Sequence, residues 1–191
     1  MHGRYSWGPL SLNQELDAQR TLTGAVCGAV AAAVWAVQQP LDKHVFASRY
    51  DDVELVGRVL TRGEHWYSAG LAGHLLNGAI FGAVYAKIAP ALPIPTVVKG
   101  PAVAAAEHLA LWPLNRLVDG WHPARADLPI LAGNRRALVQ GLWRHILFGF
   151  VLGELERRLA ADQSEASAED TDYSSNGHGR IEHAFTVKCA F

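Results

Sequence analysis

Cysteine is nearly missing: the 191 residues hold two, Cys27 inside an apolar run and Cys189 near the C-terminus. A pair so placed makes no disulfide framework, and none is expected. Charge is scarce as well, at 18% of residues against roughly 25% in soluble domains. The formal net charge of −1 leaves no electrostatic footprint for nucleic acid. Also lacking are a Walker loop, a dinucleotide fingerprint, His-Glu-x-x-His, Cys-x-x-Cys and a nucleophile elbow. With no recognisable setting for a nucleophile, the sequence does not read as an enzyme.

The scarcity of charge is uneven. Thr21–Leu41 and Trp66–Ala86 contain no Asp, Glu, Lys or Arg, and each run is 21 residues long. About 20 apolar residues cross a bilayer as a helix. Soluble amphipathic helices carry a polar stripe, whereas Trp66–Ala86 offers only His74 and Asn77 as strongly polar positions. Two further apolar segments, near Gly100–Leu114 and Ala137–Gly153, are interrupted by charge. The pattern predicts spans over about 21–39, 66–88, 101–115 and 136–160. Pro101 suits a first helical turn, and Pro40 and Pro113 help to end their helices. Arg20 ahead of an apolar run has the look of a secretory signal. Val26 before Cys27 is wrong for lipoprotein cleavage, however, and the repeat described next argues that the segment is retained.

Shifting the chain by 73 residues lays Val30–Val45 on Val103–Val118, matching Val-Ala-Ala-Ala and the later Pro-Leu pair. With an offset of 71, "GLAGHLLNGAIFG" (Gly70–Gly82) lies on "GLWRHILFGFVLG" (Gly141–Gly153), identical at six of thirteen positions. A duplicated helical hairpin explains both matches. Since each copy holds two spans, the copies are parallel repeats related by an axis along the membrane normal. The expected fold is therefore all-α, a four-transmembrane-helix bundle made of two parallel hairpins. Residues 1–20 form an N-terminal arm, with a short surface helix around "SLNQELDAQR". The membrane domain covers 21–160, with repeat 1 at about 21–88 and repeat 2 at about 100–160. Residues 161–191 are a Ser/Asp/Glu-rich tail expected to be disordered. "RYDDVELVGRVLTRG" predicts a short interfacial helix with Val53, Val56, Val59 and Leu60 on one side. The long loops hold more Lys and Arg close to the spans, which favours placing them in the cytoplasm.

Residues four apart share a helix face. Gly70, Gly78 and Gly82 flank His74, Gly141, Gly149 and Gly153 flank His145, and Gly24 and Gly28 lie in the first span. Small-x3-small rows let membrane helices approach closely, so these glycines are read as packing positions. An intramembrane histidine is costly and marks a candidate functional group. His74 and His145 either donate hydrogen bonds to neighbouring helices or supply axial nitrogens to a haem b. A metal site drawing on His74, His108, His145 and Glu107 would need four ligands to converge at about 2 Å, and none is assigned. Glu107, His108 and Arg144 form a second polar cluster, expected to hold a buried Glu107–Arg144 ion pair.

The runs "QQPLDKHVFASRYDDVELVG", "AEHLALWPL" and "LAGNRRALVQGLWRHILFG" resemble small bacterial, actinobacterial-like, four-span integral membrane proteins. The resemblance covers roughly residues 20–160. It implies a multi-pass protein of the cell membrane and carries over no activity and no functional residue. The leading expectation is a non-enzymatic accessory or assembly subunit, in contact with the lipid bilayer and with other subunits or itself. The alternatives are a haem b or proton-handling protein using His74 and His145, and a small transporter or lipid-binding protein. The last would need a polar cavity along the pseudo-twofold axis.

Overall fold

Pro9 stands at the start of α1, which continues unbroken to Val45 (Pro9–Val45). This is a computed structural model that describes the backbone of residues 9–186 and the side chains of 14–159 and 161. The expected surface helix around residues 11–20 and the expected first span are thus one element. "SLNQELDAQR" contains no glycine or proline and is rich in good helix formers, so nothing separates the two. Pro40 does not end α1 either. It removes one backbone donor, but Asp42 in the following turn is only 2% exposed and held by long-range bonds. Tertiary contact overrides the local stop signal.

The short α2 (Asp52–Leu60) is N-capped by Asp51, whose carboxylate accepts from the Glu54 backbone N–H at 2.8 Å. Its apolar residues divide: Val53 is buried and Val56 half-buried, while Val59 and Leu60 are exposed. α3 (Trp66–Ile88) coincides with the expected second span and runs into a single 3-10 turn, Ala89–Ala91. α4 (Thr96–Leu111) begins earlier than expected, after Pro95, which leaves Pro101 inside the helix. Pro113 ends α4 through a 3-10 turn, and the chain resumes as α5 (Asn115–Trp121). α6 runs Arg135–Thr186. Every regular element among the described residues is helical.

The chain divides into two units, residues 1–156 and 157–191. Disorder was the expectation from composition for 161–191, yet α6 extends as helix through this stretch to Thr186. Residues 154–176 contain no glycine or proline and are rich in Ala and Glu, so helix propensity outweighs low hydrophobicity there. Residues 1–8 of the expected arm and 187–191 of the expected tail lie outside the described residues.

Within the first unit the glycines mark where backbones meet. A methyl group on Gly28 would strike the Gly78 carbonyl, and one on Gly82 would strike the Gly24 carbonyl, so α1 and α3 cross glycine on glycine. α4 and α6 meet the same way, since a methyl on Gly100 would strike the Gly149 carbonyl. Gly70 lies against Gly57 and the Val53 carbonyl, which docks α2 onto α3. Around these crossings Cys27, Ala31, Trp35, Tyr85, Ala104, Phe148 and Leu152 form the main core. The outer faces stay apolar: Val26, Val30, Val37 and Leu41 on α1, and Leu76, Ile80 and Val84 on α3, are all exposed.

Two helical segments are long and apolar enough to cross a membrane, Gln14–Val45 and Trp66–Ala91. α4 is only 16 residues long, and the apolar part of α6 carries Arg144.

Candidate functional site

α1, α2, α3, α4 and α6 surround a cavity of about 210 Å³. It presents three imidazoles (His74, His108 and His145), two acidic residues (Asp52 and Glu107) and several aromatic rings. No serine, threonine or cysteine lines it. A cavity of this size exceeds the needs of a single water by about tenfold or more, so it has room for a small molecule.

Arg144 anchors one wall. It is fully buried, and its guanidinium grips Asp42 through Nε to Oδ2 at 2.7 Å and Nη2 to Oδ1 at 2.5 Å. Nη1 donates to Asp52 Oδ2 at 2.5 Å, and Nη2 also reaches the Tyr50 carbonyl at 3.1 Å. Gln38 and Gln140 donate their amides to the Asp42 carboxylate at 2.5 and 2.6 Å. Tyr50 donates its hydroxyl to Asp52 Oδ1 at 2.5 Å, and the guanidinium carbon sits 5.3 Å from the Tyr50 ring centroid. The expected Glu107–Arg144 pair is therefore corrected: Arg144 pairs with Asp42 and Asp52, and Glu107 pairs with His145 at 3.2 Å. Arg144 and His145 are consecutive on a helix and project about 100° apart. When His145 faces Glu107 on α4, Arg144 must face another element. A buried ion in the middle of an apolar helix needs opposite charges, and the acids bordering α1 and α2 supply them.

Burial alone would raise the Asp52 carboxyl, but the Arg144 guanidinium and then the Tyr50 hydroxyl hold it below its usual range. The Tyr50 phenol is pushed well above its ordinary value by burial and by the neighbouring Asp52 carboxylate, so it stays a donor. A carboxyl held low in the folded state adds stability above its unfolded value, about 3.9, and loses it as the pH falls through the folded one. Acidification below about pH 4 is thus expected to lower the melting temperature in detergent. Asp52→Asn should start lower at neutral pH and lose less on acidification. An acid slope equal to that of the unmodified protein would mean that Asp52 does not carry the effect.

The imidazoles form the second wall. Trp35 touches both His74 and His145 edge-on, at centroid distances of 5.1 and 4.7 Å. His108 stacks at a tilt 4.4 Å from His145 and reaches the Leu138 carbonyl through Nε2 at 3.1 Å. Gly141 makes room for it, since a methyl there would collide with the His108 ring. His145 Nδ1 faces the Gly141 carbonyl at 2.7 Å, and Nε2 faces Glu107 Oε2. Both neighbours are oxygens, so the contact is satisfied when one proton lies between Nε2 and Oε2. The pair is then neutral in sum, whichever atom holds the proton.

His74 differs. It is 7% exposed, and Nε2 has no partner among the described residues. Trp35, 5% exposed, likewise has an unpartnered Nε1–H. Buried polar atoms are normally satisfied, so two on one cavity wall call for an explanation.

This donor set does not fit a haem b held by both histidines. Both nitrogens of His145 are engaged, and the Trp35 indole packs against both rings. Among the described residues no group of three or more His, Cys, Asp or Glu side chains is placed to hold a metal ion.

Asp42, Asp52, Tyr50, Trp35 and Gln140 escaped the sequence reading. The signal for the two acids is Arg144 itself, a charge midway along an apolar segment that needs buried opposite charges. His122 was also missed. It links the loop after α5 to the Leu55 carbonyl through Nε2 at 3.0 Å and accepts from the Ala124 N–H. Comparison of the chain with protein-family models, curated proteins and solved structures finds no match.

Proposed function

We propose that this chain is an integral membrane protein whose two hairpins, α1–α3 and α4–α6, enclose a binding site for a small polar solute. It would act as a carrier or binding component of the cell membrane and not as an enzyme. The observation that carries this reading is the cavity beside Trp35 and His74, two nearly buried polar side chains with unpartnered nitrogens. A site of this kind, mostly enclosed by apolar and aromatic side chains with a few polar groups, is what small-molecule binding needs. The lack of a serine, threonine or cysteine on its walls favours binding over group transfer. The membrane part of the reading rests on the two long apolar helices, the exposed apolar faces of α1 and α3, and the glycine-on-glycine crossings of both hairpins. The resemblance to four-span bacterial membrane proteins agrees with it.

A second reading, an accessory subunit of a membrane complex, is favoured by the exposed Val26–Val30–Val37–Leu41 stripe of α1. Such a stripe takes lipid or another subunit's helix.

Two measurements test the main reading. The protein is expected to stay with the membrane after alkaline carbonate washing. In detergent, titration with propylammonium, propionate and n-propanol is expected to change tryptophan fluorescence saturably for at least one solute, because Trp35 and Trp112 line the cavity. His74→Leu should shift that change to severalfold higher solute concentration. Release by carbonate would sink the membrane assignment, and three flat titrations would sink the binding assignment.

A further inference from the structure

We infer that the solute taken by this cavity is a small protonated amine bearing at least one N–H. The inference rests on the binding reading above and names its ligand class.

The first argument is a count of charge. Arginine is always protonated. Asp42 receives only donors: Oδ1 from Gln140 and Arg144, Oδ2 from Gln38 and Arg144. Asp52 also receives only donors, Tyr50 on Oδ1 and Arg144 on Oδ2. On Asp42 a carboxylic acid would turn its proton toward an N–H donor, so that group is a carboxylate, and on Asp52 the Arg144 guanidinium at 2.5 Å favours the ionised form as well. One guanidinium against two carboxylates leaves a net charge of −1. Lys43 offers no relief because it is paired with Asp51. The Glu107–His145 pair, holding its shared proton, is neutral. The excess negative charge therefore borders the cavity through Asp52, the member of the network that lines it. An uncompensated charge in low dielectric attracts a cation strongly.

The second argument separates an organic cation from a metal ion. The described residues offer no three-ligand acidic or imidazole set. They offer aromatic walls instead: Tyr50 and Trp112 with centroids 6.3 Å apart, and Trp35, Phe81 and Phe148 in edge contact. Aromatic faces beside a carboxylate hold alkylammonium groups through the ring quadrupole, and they hold hydrated inorganic ions poorly.

The third argument is the nitrogen left over on His74. Nε2 is the nitrogen without a partner, and with the ring proton on Nδ1 it offers a lone pair. An ammonium N–H satisfies it, while a fully alkylated nitrogen does not.

The test is isothermal titration of the full chain in detergent with propylammonium chloride, sodium propionate, n-propanol and tetramethylammonium chloride at matched ionic strength. Propylammonium is expected to bind saturably, tetramethylammonium more weakly, and the other two not at all. Asp52→Asn should weaken propylammonium about tenfold or more, as for a lost charged hydrogen bond. Since Asp52 also braces Arg144, His74→Leu provides a second variant outside that network and should cost severalfold. Equal or tighter binding of propionate or propanol overturns the inference while leaving the binding reading in place. Unchanged affinity in His74→Leu also overturns it. Failure of all four solutes to bind removes both.

Discussion

Arg144→Met is expected to cost about 3–5 kcal/mol of stability, the penalty for removing one partner of a buried ion pair. The methionine would fill much of the space, so the loss measures charge more than volume. Asp42 is 1% exposed at its side chain and would keep only the amides of Gln38 and Gln140. Asp52 would keep only the Tyr50 hydroxyl. Unfolding in detergent by denaturant titration gives the number. Pairing Arg144→Met with Asp42→Leu should recover about 0.5–3 kcal/mol, the range for directly coupled residues. Pairing it with Glu107→Leu should recover nothing, because Glu107 bonds to His145. If the Glu107 double variant recovered as much as the Asp42 one, the network described here would be wrong.

The second large effect lies at a helix crossing. Gly28→Ala places a methyl group on the Gly78 carbonyl, a backbone atom that no rotamer change can move aside. Overpacking of this kind costs about 1–3 kcal/mol, and a clash against rigid backbone belongs at the upper end. Gly153→Ala is the control. The nearest atom to a methyl there is the Tyr85 hydroxyl at 3.3 Å, and the nearest backbone atom, Gly100 Cα, is at 3.5 Å. It should cost well under half as much as Gly28→Ala. Equal melting temperatures for the two variants would show that α1 and α3 are not held by backbone proximity.

The contrast between these glycines shows how far a pattern can be read. The Gly-x3-His-x3-Gly-x3-Gly rows placed small residues on one face of α3 and of α6, and the period of the helix is enough for that. The rows did not reveal separate duties. Gly78 meets Gly28, Gly70 admits α2, and Gly141 makes room for an imidazole from α4. The limits of α3 were legible because an uncharged run between polar loops has sharp ends. Those of α1 were not, because Pro40 looks like a stop only until Asp42 is seen to be held from α6.

The site divides in the same way. His74, His145, Glu107 and His108 stood out as polar residues in apolar surroundings, and all four line one cavity. Asp42 and Asp52 sit at helix ends among other charges, where an acid looks ordinary.

Apolar runs, helix period and glycine spacing are properties of neighbours along the chain, so residue order alone was enough to establish an all-helical protein with close-packed faces. Partner choice is a property of neighbours in space. Arg144 stands 102 residues from Asp42 and 92 from Asp52. Its turn away from Glu107 follows from the 100° step between adjacent helical side chains once His145 has taken that direction. Folding therefore settled which charges are buried together, and with them the excess negative charge beside the cavity.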